Sequence, residues 1–190
     1  MLIGLIGILL QNSIWICIRR HLVLKMEIHY ISTNFESVQP QLSEALIDGG
    51  NSVRFFYYTL HKKKNSAIKK SFPQYVNFYN SPFLSRGPLL YICRLVLISL
   101  VCKKKIGLRP DYYIANQLFT DGIVALFLNR MKSSKIIVSV RNTDLRSGMY
   151  WKLPWIRKIG FHVLEESHRI VFQNPSYLKE FENKIPTQLL

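Results

Sequence analysis

Arg109 to Gly122 read R-P-D-Y-Y-I-A-N-Q-L-F-T-D-G, and this stretch decides the fold. Pro110 and Asp111 punctuate the chain, and Tyr112–Ala115 follows as a short aromatic and apolar run that predicts a strand. A five-residue polar and apolar loop, Asn116 to Thr120, gives way to a helical pattern from Asp121 to Met131. Lys135–Val140 (K-I-I-V-S-V) is then strongly β in character. Strand, helix and strand in that order imply two parallel strands joined by a crossover.

The same alternation extends both ways. Upstream, Ile28–Ile31 and Val53–Tyr58 predict strands on either side of a helix from Gln41 to Ile47. Asp48-Gly49-Gly50-Asn51 closes that helix with glycines. Tyr75–Tyr79 predicts a weaker strand, and Leu89–Lys105 a long helix. Leu89–Cys102 carries one charge, Arg94, but is short for a membrane span and reads as a buried crossover helix. Downstream come a basic helical stretch from Lys152 to Glu165, a strand at His168–Phe172, and a last helix to about Asn183 opened by Asn174-Pro175. The expected fold is α/β, a Rossmann-like parallel sheet with helices on both faces. Ligands of such sheets sit at the carboxyl ends of the strands, which singles out the loops Ser32–Gln39, Asn116–Thr120, Arg141–Gly148 and Gln173–Ser176.

The chain has 190 residues, 48% hydrophobic, enough for one domain with a sizeable core. Against 11 acidic residues stand 26 Lys and Arg, a formal charge of +15. Such a surface favours acidic partners: anionic lipid, nucleotide, lipid phosphate or nucleic acid. Residues 1–25 form a leader in which the apolar run Met1–Ile18 is followed by Arg19, Arg20, His21 and Lys25. It reads either as a signal-anchor that keeps the domain cytoplasmic or as a mis-assigned start ahead of Met26. Without residues 1–25 the chain keeps +12, so the basic character belongs to residues 26–190. Cys17, Cys93 and Cys102 lie in apolar runs without paired spacing and read as free core thiols.

Several chemistries lack their motifs. There is no G-x-x-x-x-G-K-[ST] loop, no G-x-G-x-x-G after a strand, no H-E-x-x-H and no G-x-S-x-G. His21, His29, His61, His162 and His168 have no metal-ligand spacing, so no metal is expected. The basic stretches have neither zinc-finger spacing nor RNA-binding aromatic signatures, so nucleic acid is not an expected partner.

Three blocks together carry a resemblance: R-P-D-Y-Y-I-A-N-Q-L-F-T-D-G, then I-I-V-S-V-R-N-T-D-L, then H-R-I-V-F-Q-N-P-S-Y-L-K-E-F. In this order and spacing they resemble the amino-terminal, acceptor-side domain of family-four glycosyltransferases with the GT-B fold, over about Met26 to Phe181. That family places two Rossmann-like domains across a cleft, the second holding the nucleotide-sugar through an E-x7-E element. The resemblance implies hexosyl transfer from a nucleotide-sugar to a lipid-linked or polysaccharide acceptor, as in cell-envelope glycan assembly. The nucleotide-sugar is then a substrate, and no cofactor is implied. The sequence reaches Leu190 without a second such domain, which ordinarily needs about 300 residues in all. It is therefore expected to be inactive alone. The alternative is a non-catalytic, membrane-peripheral module that binds an acceptor or partner and complements a donor subunit in trans.

The resemblance also assigns residues. Asn116 stands where the family commonly has a cleft histidine, and it can hydrogen-bond but cannot serve as a base. Retaining transferases of this kind need no side-chain base when the leaving phosphate takes the acceptor proton. Asp144 is expected to orient an acceptor hydroxyl or donor sugar, and Arg141 to meet phosphate or shape the loop; a salt-bridged turn is the competing reading for both. Asp121 either contacts sugar hydroxyls or caps a helix beginning at Gly122. Asn116, Asp121, Arg141 and Asp144 are the catalytic candidates. Asn34, Phe35, Asn116, Asn142 and Thr143 are the acceptor-binding candidates. Two basic stretches are candidates for contact with the cytoplasmic face of an anionic membrane: Lys62, Lys63, Lys64, Lys69 and Lys70, and Trp151, Lys152, Trp155, Arg157 and Lys158, with Phe161 on the same aromatic face; a core-facing helix with a solvated basic side is the competing reading for the second.

Overall fold

A computed structural model of the chain describes residues 25–32, 38–59, 74–79, 88–105, 109–130, 133–141, 144 and 152–181. Among these residues six strands form one sheet: β1 (Glu27–Ser32), β2 (Ser52–Thr59), β3 (Gln74–Tyr79), β4 (Tyr112–Ala115), β5 (Lys135–Val140) and β6 (Arg169–Phe172). Their order is β3-β2-β1-β4-β5-β6, and every neighbouring pair is parallel. Among the described residues five helices accompany them: α1 (Val38–Asp48), α2 (Pro88–Lys105), α3 (Ile123–Leu128), α4 (Pro154–Glu165) and α5 (Pro175–Phe181). A π-helical turn, Leu118–Gly122, runs directly into α3.

Asp111 pins the centre of the sheet. Its backbone N–H donates to Glu27 O, and its carboxylate accepts from Glu27 N–H, each at 2.8 Å. Its carbonyl accepts from Lys135 N–H at 2.9 Å, so one residue aligns β1, β4 and β5 at their amino ends. The glycines after α1 work as the sequence implies. Gly50 takes φ +82°, and Asn51 N–H returns to Leu46 O at 3.2 Å, ending the helix without a steric penalty.

The strand order explains the two layers of helices. From β1 the chain steps outward to β2 and β3, then crosses back and steps the other way through β4, β5 and β6. Crossovers of one constant hand that reverse direction must change face. Accordingly, Leu42, Leu46 and Ile47 of α1 pack on Ile28, Tyr30, Val53, Phe55 and Tyr57 on one face. On the other, α2, α3 and α4 cover Ile31, Phe56, Tyr113, Ala115, Ile136, Val138 and Val140. This is the expected α/β fold with helices on both faces. No helix among the described residues is long and apolar enough to cross a membrane. The leader, residues 1–24, lies outside the described residues.

Two expectations need correction. Cys93 is exposed on α2 rather than a core thiol, because Tyr91, Leu95 and Ile98 face the core and Cys93 falls on the opposite side of the turn. The helix after β4 begins at Leu118, not Asp121, for a reason found in the next loop.

Two glycines let α4 and the π-helical turn approach closely. At Gly160 of α4 an added Cβ would lie 2.3 Å from Phe119 Cε1, and at Gly122 one would lie 2.9 Å from Val163 Cγ1. Phe119 is fully buried and has no room to swing. Gly160→Ala is therefore expected to destabilise the protein by about 1–3 kcal/mol in urea unfolding. Adding Phe119→Leu should recover part of that loss, as expected of touching residues. An unchanged midpoint for Gly160→Ala would refute this packing.

His29 is buried in β1 between Phe56 and Tyr113, its Nε2 3.3 Å from Glu27 Oε1. Burial lowers its pKa from 6.5 to about 4; Glu27 opposes the shift and Arg54 reinforces it. The unfolded chain thus takes up this proton at a higher pH than the folded one. Stability from His29 should be complete above pH 6.5 and decline as pH falls toward 4. His29→Leu should flatten that acid limb in urea titrations across this window; an identical slope in the variant would contradict the assignment.

Candidate functional site

Strand order reverses between β1 and β4, and such a reversal opens a crevice at the carboxyl edge of the sheet. Asn116, the residue after β4, stands at that point and is buried. Its Nδ2 donates to Ser32 Oγ at 3.0 Å. Its Oδ1 accepts from Tyr30 OH at 3.3 Å and from Arg141 Nη2. One side-chain amide therefore links the ends of β1, β4 and β5. Arg141 is half-buried and brings the cluster its positive charge.

Asp144 holds the adjoining loops. Its Oδ2 accepts from Leu118 N–H at 3.1 Å and from Arg141 N–H at 2.9 Å, while Oδ1 lies 3.4 Å from the Phe119 N–H. Its own N–H returns to Arg141 O at 2.9 Å. Leu118 and Phe119 open the π-helical turn, whose first N–H groups have no acceptor within the turn. Gln117, in the capping position, is extended at φ −145° and makes no side-chain cap bond. The cap is supplied instead by Asp144, 26 residues along the chain. This is why the helix starts at Leu118. Burial raises the Asp144 pKa, while the backbone N–H donors and the Arg141 charge pull it back.

Asp121 lies inside the π-helical turn and is fully buried. Thr120 Oγ1 is 2.8 Å from Gln117 Oε1 and 3.2 Å from Asp121 Oδ1, so its single proton serves either. The expectation that Asp121 caps a helix beginning at Gly122 does not hold. Gly122 occupies the start of α3 with no side-chain cap bond, because the turn before it is already helical.

Of the four catalytic candidates, the structure brings Asn116, Arg141 and Asp144 into one connected group, with Asp121 in the turn that Asp144 caps. Asn34, Phe35, Asn142 and Thr143 lie outside the described residues, as do Lys62, Lys63, Lys64, Lys69, Lys70 and Trp151. Trp155 and Lys158 of α4 are exposed, as is Lys152 just before the helix, and Arg157 is half-buried. Phe161 departs from the expected outward aromatic face and packs against the main core with Ile156, Val163 and Leu164. Asn174 caps α5 as its sequence implies, accepting from Ser176 N–H at 2.9 Å. Sequence reasoning missed Tyr30, and it reached Ser32 only as the start of the loop Ser32–Gln39, not as a partner of Asn116. Their signal is register: Ile31 pairs with Ala115, which sets the next residues, Ser32 and Asn116, side by side.

No family model matches the sequence, and no curated protein matches it. Solved structures do. A protein described as a UDP-N-acetylglucosamine 2-epimerase from Listeria monocytogenes superimposes with a TM-score of 0.59 at 11% identity, over 86% of this chain and 44% of its own. The calicheamicin glycosyltransferase CalG4 gives 0.57 at 13% identity, over 87% of this chain and 51% of its own. TcCGT1, solved in complex with UDP, gives 0.53 at 11% identity, over 85% and 47%. This chain thus has the fold of a Rossmann-like half of GT-B proteins, a group that includes both transferases and epimerases. It spans about half the length of the structures it matches.

Asp144→Ala would leave three backbone N–H groups without their acceptor. We expect a loss of about 2–4 kcal/mol in urea unfolding. Asp144→Asn, which keeps one carbonyl oxygen, should lose less. The raised pKa means that the folded protein protonates Asp144 more readily than the unfolded chain, so stability from this group grows as pH falls through its folded pKa. Wild-type stability in Asp144→Ala would remove the carboxylate from its capping role.

Proposed function

We propose that this chain is the acceptor-side half of a GT-B glycosyltransferase. The assembled protein would move a hexosyl group from a nucleotide-sugar to a lipid-linked or polysaccharide acceptor. The observation that carries the reading is the Ser32–Asn116–Arg141 cluster at the strand-order reversal of a GT-B-like half. The three sequence blocks support it independently, since Asn116 lies in the first and Arg141 and Asp144 in the second.

In such a transfer the bond from the sugar's anomeric carbon to the donor phosphate breaks, and a bond to the acceptor oxygen forms. Asn116 is neutral and cannot remove the acceptor proton at neutral pH. The leaving phosphate is then the base, and this half contributes position rather than proton transfer. Arg141 suits an acceptor phosphate, because a guanidinium offers several donors in one plane. Asp144 acts through the backbone it caps, as a positioning residue. Asn34, Phe35, Asn142 and Thr143 remain the proposed acceptor contacts in the flanking loops. Completion requires a second Rossmann-like half, whichever polypeptide supplies it.

Titration calorimetry with two ligands tests the reading. A polyprenyl-diphosphate-linked N-acetylglucosamine in detergent micelles should bind, and Arg141→Ala should weaken it by about tenfold or more, the loss of one charge-assisted contact. A UDP-sugar should bind this chain poorly. Tight binding of the UDP-sugar with none of the lipid-linked sugar would overturn the assignment to the acceptor side.

A further inference from the structure

Helix α2 presents a surface that the crevice does not use. Leu90, Cys93, Leu97 and Leu100 follow at intervals of three, four and three residues and so share one side of the helix. Leu90, Leu97 and Leu100 are 42%, 47% and 54% exposed, and Cys93 is exposed beside them. The opposite side, with Tyr91, Leu95 and Ile98, is buried in the main core. A helix lying on a core normally turns charged residues outward. Here four successive positions of the outward side are apolar or a thiol.

We infer that this stripe docks on an anionic lipid surface. Charge selects that occupant. α2 contains no acidic residue, its last turn reads Cys102-Lys103-Lys104-Lys105, and Lys103 is exposed at the end of the stripe. The whole chain carries +15. Apolar side chains would enter the headgroup boundary while lysines meet lipid phosphates. A second copy fits worse. It would bring like charge to like charge, and a stripe about 15 Å long and about 10 Å wide covers about 150 Å², well short of the roughly 800 Å² per partner of a stable interface.

The stripe also begins beside the crevice. Tyr91, the residue after Leu90, donates from its hydroxyl to Phe119 O at 3.2 Å, in the turn that Asp144 caps. Docking along α2 would therefore bring the carboxyl edge of the sheet near the headgroups, within reach of a lipid-linked acceptor. That last step rests on the acceptor-side reading; the docking itself does not.

The test uses the full chain with Cys17→Ser and Cys102→Ser, leaving Cys93 to carry an environment-sensitive nitrobenzoxadiazole label. The vesicles are phosphatidylcholine alone or mixed with phosphatidylglycerol, and hold no sugar, so the outcome is independent of the acceptor assignment. Phosphatidylglycerol vesicles should shift the label to the blue and protect it from iodide, and phosphatidylcholine alone should do neither. Leu97→Glu/Leu100→Glu should lower vesicle affinity by about tenfold or more, since charge is costly among acyl chains. Both positions are exposed, so far-UV circular dichroism should be unchanged; Leu97→Gln/Leu100→Gln is a milder pair with the same expected direction. Unchanged vesicle binding in both pairs would place membrane contact elsewhere and overturn the proposal. So would a label already blue and protected before vesicles are added. Sedimentation velocity would then separate a second copy from coverage by other residues of the same chain.

Discussion

The buried carboxylate of Asp144 is the constraint on which the carboxyl edge of this sheet depends. A charge in the interior is costly unless donors surround it. Here the donors are backbone N–H groups of Leu118, Phe119 and Arg141, drawn from the loops after β4 and β5. The same contacts supply the acceptors that the π-helical turn lacks. Phe119 is thereby set against Gly160, and Gly122 against Val163, so α4 seats closely on the turn. With both loops fixed, Arg141 reaches Asn116, and Asn116 reaches Ser32 and Tyr30. The cluster at the crevice is the last link of a chain that starts at one carboxylate.

The fold was largely legible because its signals are local. Strands rich in Ile, Val, Phe and Tyr alternate with helical stretches, and Gly50 and Asn174 mark helix ends through their own backbone chemistry. The start of the helix after β4 was not legible, because its cap comes from Asp144 rather than from a neighbour. Asp121 has the residue type of a cap, but it lies inside the turn. Cys93 shows a similar limit. In a helix as uniformly apolar as α2, composition does not say which side is buried.

The site was legible in part. Asn116, Arg141 and Asp144 stood out because each follows a strand, and parallel sheets bind ligands there. Their division of labour was not, since it depends on which atoms meet across the sheet. Asp144 turns its oxygens to the backbone, whereas Asn116 and Arg141 line the reversal point. Tyr30 escaped notice as an ordinary strand residue, and Ser32 stood out only as the start of the Ser32–Gln39 loop; neither joins Asn116 until the register of β1 on β4 is known. The likeness to GT-B structures, at 11–13% identity for the three described, belongs to the fold alone. The assignment of chemistry therefore rests on these side chains.

Side-chain amide and guanidinium NMR signals test that assignment most directly. With the polyprenyl-diphosphate-linked N-acetylglucosamine added in micelles, and empty micelles as reference, the Asn116 Nδ2 and Arg141 Nε resonances, just past β4 and β5, should shift more than any side-chain signal of β1 to β6. If those two signals stay fixed while residues on α1 or the outer strands β2 and β3 move, the crevice at the strand-order reversal is not the binding site, and the acceptor-side account fails.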